Sequence, residues 1–119
     1  MRHIKYHQVN AVSSELVVVA CDYPGPLGQS HCYEVFPKPQ CDTWPLARSG
    51  KTCVHKIYFQ NGSVEGTGWN GLTNEVLLGI VADRLESVQR GVYGCRAYGD
   101  ALKSVQRALK CLTDIPFRS

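Results

Sequence analysis

The stretch Asn70-Gly71-Leu72-Thr73-Asn74 sets two side-chain amides and a glycine at the mouth of an apolar run. A helix start needs one capping side chain, which Thr73 supplies, so the two asparagines are candidates for hydrogen bonds to a ligand. Asn74 also has the plainer role of a helix-start residue. Further along, Arg96, Lys103, Arg107 and Lys110 recur at i, i+7, i+11 and i+14, one side of a helical cylinder, with Asp100 beside them. A solvated face with local ion pairs accounts for most rows of this kind. Arg96 differs from the other three because it falls in the first turn. There, free backbone N–H groups and the helix dipole add to its charge, which is the chemistry of an anion site. Arg84 is a second guanidinium, with Glu75, Asp83 and Glu86 as competing structural partners.

The elements that must position these groups divide into two unlike halves. Up to about residue 68 the residues alternate or cluster as strands do: Ile4 to His7, Leu16 to Cys21, Cys32 to Phe36 and Cys53 to Phe59. Loops separate them at "YPGPLGQS" (23–30) and "PKPQCDTWPLARSGK" (37–51), and "QNGS" (60–63) carries an Asn-Gly turn signal. The second half is helical. Leu77, Leu78, Val81, Leu85 and Val88 share a helical spacing from Asn74 to Gln89, with Thr73 as N-cap and Gly91 just past the end. Tyr98, Ala101, Leu102, Val105, Ala108, Leu109 and Leu112 form an uninterrupted apolar stripe on a second helix. The connection "RGVYG" is short, which makes the helices antiparallel neighbours. The predicted fold is α+β: an N-terminal antiparallel β-sheet followed by a C-terminal antiparallel two-helix hairpin. The 119 residues suit one domain, β-rich over 1–68 and helical over 69–119. Two apolar faces on a two-helix hairpin must be covered by a sheet, another subunit or both, which predicts a homo-oligomer.

Composition narrows the classes. A hydrophobic fraction of 44% with 19% charged residues is ordinary for a globular chain, and no apolar run is long enough to span a membrane. Met1 to Tyr6 has neither an apolar core nor a small-residue cleavage site, so the expected compartment is the cytosol. Six cysteines would allow three disulfides. Without a C-x-x-C pair or an export signal they read as reduced thiols that pack as small hydrophobes, with zinc a minor alternative and no metal ligands assigned. No catalytic residue is assigned either. His3, His7, His31 and His55 lack a nucleophile or carboxylate motif, and no phosphate-binding or metalloprotease motif is present. A net charge of +3 is modest for a partner that is a long nucleic acid, so such a polymer is not the expected partner. A small basic nucleic-acid-binding module is the alternative reading.

"NGLTNEVLLGIVADRLESVQRG" followed by "CRAYGDALKSVQRAL" resembles the helical hairpin shared by two phage families, the anti-Thoeris sponge and the anti-CBASS sponge. Members read Asn-Gly-x-Thr-Asn-Glu, Leu-Leu, Asp-Arg-Leu, a Phe-Gln-x-Gly turn and Cys-Arg-Glu-Asn-Ala, in that order. The likeness runs from Gly68 to Leu112. The β-rich first half, with "HCYEV" and "IYFQNG", is similar to the longer anti-Thoeris type. The chain departs from the pattern at Arg96-Ala97-Tyr98, where the family has Arg-Glu-Asn, at Val88-Gln89, where it has Phe-Gln, and in the tail "TDIPFRS".

The resemblance implies non-catalytic sequestration of cyclic nucleotide immune signals, notably glycocyclic ADP-ribose, in the cytoplasm of the infected bacterial host. Some members also hold cyclic di- and trinucleotides in separate pockets of a six-subunit assembly. No cofactor and no membrane is implied. A cyclic nucleotide offers a base to stack, hydroxyls to bond and phosphates to neutralise, which calls for an aromatic, an amide and an arginine. The residues expected to bind are Asn70 and Asn74 on base edge or ribose, Arg84 and Arg96 on phosphate, and Phe59 as a stacking ring, with Tyr58, Trp69 and Tyr93 as further aromatics. Phe59 and Trp69 have packing roles as the alternative.

Overall fold

The structure, a computed structural model, describes residues 2–38 and 55–115. Four strands, β1 (Arg2–Ile4), β2 (Leu16–Ala20), β3 (Cys32–Pro37) and β4 (His55–Tyr58), form one antiparallel sheet in sequence order. The β-branched run of β2 has partners on both sides, so Val19 and Ala20 are fully buried although they point to opposite faces. Phe36 on β3 completes the apolar core among the described residues. A one-turn helix, α1 (Val64–Thr67), follows, then α2 (Asn74–Arg90) and α3 (Arg96–Thr113). The antiparallel sheet and the two helices in contact give the expected α+β fold. No helix among the described residues is long and apolar enough to cross a membrane.

The strand boundaries shift in instructive ways. The first strand is Arg2–Ile4 rather than Ile4 to His7, because the chain turns after Ile4: the Gln8 amide donates to the Lys5 carbonyl, and the His7 ring bonds the Leu16 carbonyl at 2.7 Å. The expected start of the last strand at Cys53, like residues 39–51 of the long loop, lies outside the described residues. Gly62 does make a turn, with φ +92°, but the turn leads into α1. Ser63 caps that helix by accepting from the Gly66 amide.

Polar side chains take over where strand pairing ends. Gln60 is buried; its Nε2 donates to the Gly68 carbonyl at 2.9 Å and its Oε1 accepts the Asn70 amide at 2.9 Å. Asn70 in turn bridges Asn61, accepting the backbone amide and donating to the carbonyl, each at 2.8 Å. These bonds draw Trp69, Asn70 and Gly71 into the sheet half. The chain accordingly divides into two compact units, Met1–Gly71 and Leu72–Ser119, three residues later than the composition suggested.

At the same end of the strands, where Cys32 pairs with Tyr58, Asp22 does a comparable job for the β2–β3 connection. Its carboxylate accepts the amides of His31 at 2.8 Å and Cys32 at 3.0 Å, and Ser30 donates to its carbonyl. Burial pushes the Asp22 pKa up, but the backbone donors and the nearby His31 ring outweigh it and hold the carboxyl below its ordinary range. A carboxylate depressed in the folded state contributes stability that is present above its ordinary pKa and lost as pH falls through the depressed one. Asp22→Ala should therefore cost about 1 to 3 kcal/mol at pH 7, the range for charge-assisted bonds to a partly exposed acceptor. Urea melts at pH 7 and at progressively lower pH check this: the gap to wild type should narrow below about pH 4.

Candidate functional site

The two helix starts that carry the expected ligand contacts are built differently. At α2, Thr73 accepts the Val76 amide at 3.2 Å, so this end is capped as its sequence predicts. Asn74, the first residue of the helix, is exposed. At α3 the cap position is Cys95, and no side chain caps the first turn. The Cys95 amide is instead taken by Gln89, reaching across the connection at 2.9 Å. The Gly91 amide donates to the Val88 carbonyl and the Gly94 amide to the Gly91 carbonyl, which tightens the turn. Gly94 is needed there: a Cβ at this position would run into the Gln89 carbonyl oxygen. Among the described residues, the amides of Arg96, Ala97 and Tyr98 are left with no side-chain partner.

Arg96 is the first residue of this turn. Its side chain is 95% exposed, and its ion pair is with Asp100, Nε to Oδ2 at 3.8 Å, one turn along. A pair so open to solvent holds the guanidinium weakly. Val92 and Tyr93, 94% and 80% exposed, project from the adjoining turn. On α2, Arg84 is exposed and has no ion pair among the described residues, and Glu86 is paired with Arg90 at 3.4 Å.

The remaining expected contacts sit in the other unit. Phe59 is half-buried and packs edge-on against Tyr33, with ring centroids 5.6 Å apart. Asn70 has both ends of its amide engaged with Asn61. Gly71, beside it, makes room for β4: a Cβ there would meet the Phe59 carbonyl carbon and come within 2.6 Å of the Tyr58 oxygen. Half of the Asn-Gly signature at the helix mouth is thus explained by chain packing. Sequence reasoning missed Gln60 and Gln89, whose partners lie eight and six residues on. No local pattern marks a glutamine for such a role.

The structure brings Asn74, Arg84 and Arg96 into one hairpin and sets them apart within it. Along an antiparallel pair of helices the starts fall at opposite ends, and 17 residues of α2 span about 25 Å. One wall holding both Asn74 and Arg96 therefore cannot form within a single chain. On the sheet, Cys21 donates its thiol to Glu34 at 2.9 Å, and Lys56 approaches the same carboxylate at 3.5 Å. Cys21, Cys32, Cys95 and Cys111 are thiols, and among the described residues no three His, Cys, Asp or Glu side chains gather to hold a metal.

Gly71→Ala tests the packing reading of the signature. The clash is with backbone, which cannot swing aside, so the variant should lose about 2 to 4 kcal/mol, a severe loss for one methyl group. Thermal melts decide; an unchanged melting temperature would show that the close approach is not a constraint. Compared with known proteins, the chain matches no family model, and no curated protein is significantly similar to it.

Proposed function

We propose that this chain is a sponge: it binds a cyclic nucleotide immune signal of the glycocyclic ADP-ribose or cyclic oligonucleotide kind and holds it without turnover. The observation that carries the reading is the first turn of α3, which has no side-chain cap and begins with an exposed, weakly paired arginine. Amides and guanidinium together make a phosphate cradle once Arg96 exchanges its loose contact with Asp100 for the ligand. The resemblance of the hairpin to the sponge families supplies the ligand class. Arg96 clamps phosphate, Arg84 adds a second cation, and Asn74 reads base or ribose.

The separation of Asn74 from Arg96 makes the proposed pocket a composite, with the α2 start of one copy set beside the α3 start of another. The hairpin has apolar surface to drive that association. Within one chain no residue of α2 or α3 is buried, and Val76 and Ile80 are about half exposed. A homo-oligomer assembled through the hairpin is therefore part of the proposal, and the host cytoplasm is where such a sponge would act.

Arg96→Ala should weaken binding of glycocyclic ADP-ribose and cyclic dinucleotides by about 1.5 to 3 kcal/mol, roughly 10- to 150-fold, with an unchanged melting temperature. Asn74→Ala should cost less, about 1 kcal/mol or fivefold. Calorimetry measures both, and heating the complex should return the ligand chemically intact; a cleaved ligand would point to an enzyme. An Arg96→Ala protein that binds every ligand as tightly as wild type would refute the site.

The assembly is tested separately. Leu109→Glu places a charge on the apolar side of α3 and should dissociate or unfold the protein. Light scattering on wild type at micromolar concentration should give a multiple of 13.2 kDa. A monomer there would rule out the composite pocket.

A further inference from the structure

The modest net charge of the chain conceals an uneven distribution. Helix α3 carries four cations and one carboxylate, whereas α2 carries three carboxylates and two arginines. The four cations of α3, Arg96, Lys103, Arg107 and Lys110, fall within an arc of about 60° at 100° per residue and extend about 21 Å along the axis. All four are exposed. The half-buried residues Leu102, Val105, Ala108, Leu109 and Leu112 centre on the opposite side of the helix, which leaves the row in solvent. Asp100 pairs only with Arg96, and Lys103, Arg107 and Lys110 have no ion pair among the described residues.

We propose that the basic row of α3 binds the phosphate backbone of a single-stranded nucleic acid, a function beyond the capture of a small cyclic ligand. Three cations in line, none of them ion-paired among the described residues and with Asp114 only at the far end of the row, make a surface whose complement is a linear polyanion. The row is one residue wide, which suits one backbone rather than the two that flank a groove. In the turn that adjoins its Arg96 end the exposed ring of Tyr93 offers a face on which a base of an open strand stacks, the pairing of cationic track and aromatic platform that single strands require. The rival occupant is a carboxylate row such as Glu75, Asp83 and Glu86 of a second copy. That face already loses Glu86 to Arg90, so it matches the four cations less well.

Fluorescence anisotropy with a labelled mixed-sequence 20-mer RNA tests the proposal. Neutralising three or four phosphates predicts that affinity falls with salt at a slope of about −2 to −3 on logarithmic axes, or roughly 20- to 50-fold between 50 and 200 mM. Lys103→Glu combined with Arg107→Glu should weaken binding more than tenfold at 50 mM salt, and the neutral pair Lys103→Gln with Arg107→Gln should fall between. Circular dichroism confirms that each variant keeps its helices, and the neutral pair decides if the reversed pair does not. Binding of glycocyclic ADP-ribose is measured in parallel. Loss of RNA binding alone supports the row as a separate surface, and failure of the cyclic ligand alone sinks only the sponge. The row proposal is overturned by an absence of RNA binding at 50 mM salt, by variants that bind RNA like wild type, by duplex competing as well as single strand, or by charge reversal that changes only the mass of the assembly.

Discussion

Two amphipathic helices joined by a five-residue connection can cover each other along one seam and no further. That limit governs the hairpin. Leu78, Leu85, Leu102, Val105 and Leu109 reach only half burial, while Val76, Ile80 and Val81 are exposed, so within one chain the pair contributes much less than two buried apolar faces. The apolar stripe of α3 is nevertheless unbroken over four turns, and none of its residues is buried. Sequence patterning and single-chain burial thus disagree, and a second copy is the simplest body that reconciles them. The same antiparallel geometry that limits burial also carries Asn74 and Arg96 to opposite ends. In the proposed function, assembly and ligand capture are therefore one problem rather than two.

The sheet unit solves its own difficulty by different means. With Val19, Ala20 and Phe36 as its buried apolar side chains among the described residues, it relies on polar groups that stand in for missing backbone partners. Asp22 holds two amides where β3 begins, and Gln60 and Asn70 stitch the segment after β4 back to its own start. Each is a side chain whose bonds would otherwise be buried and unmet, which is why a few polar residues can matter as much as the core. Among the described residues two buried ring nitrogens lack partners, His7 Nδ1 and His31 Nε2, and the other nitrogen of each faces the Leu16 carbonyl and the Asp22 carboxylate respectively. One bonded or charge-facing nitrogen per ring marks both as supports of the loops they sit under.

What the sequence made legible follows from the range of the forces involved. The helices were readable because 3.6-residue periodicity, the Thr73 cap and the Gly91 stop are all local, and α2 differs from its expected span by one residue. Strand identities were readable and their ends were not: Ile4 to His7 has the composition of a strand, but where it ends is set by a turn bonded to the distant Leu16 carbonyl. Asn70 shows the limit most clearly. Next to an N-cap it looks like a ligand contact, and only the position of Asn61 in space reveals a structural partner. Gln89 is the converse, a residue without a pattern of its own that fixes the start of α3.

The contrast between the two helix starts then becomes the strongest clue in the candidate site. Both begin a long helix with the same dipole, but Thr73 takes one first-turn amide of α2, while at α3 the glutamine reaches only as far as Cys95 and no side chain takes the amides of the first turn. An uncapped turn forgoes about 1 kcal/mol that a serine or threonine at Cys95 would supply. Placing that deficit beside an arginine with a loose partner concentrates positive potential at one end of the hairpin, where the rigid Gly91–Gly94 turn presents Val92 and Tyr93. An anion that arrives there regains the missing hydrogen bonds and needs to break only a 3.8 Å contact between two exposed side chains. The start of α3 thus lacks the side-chain cap that the start of α2 has, and it is this difference that the proposed phosphate site rests on.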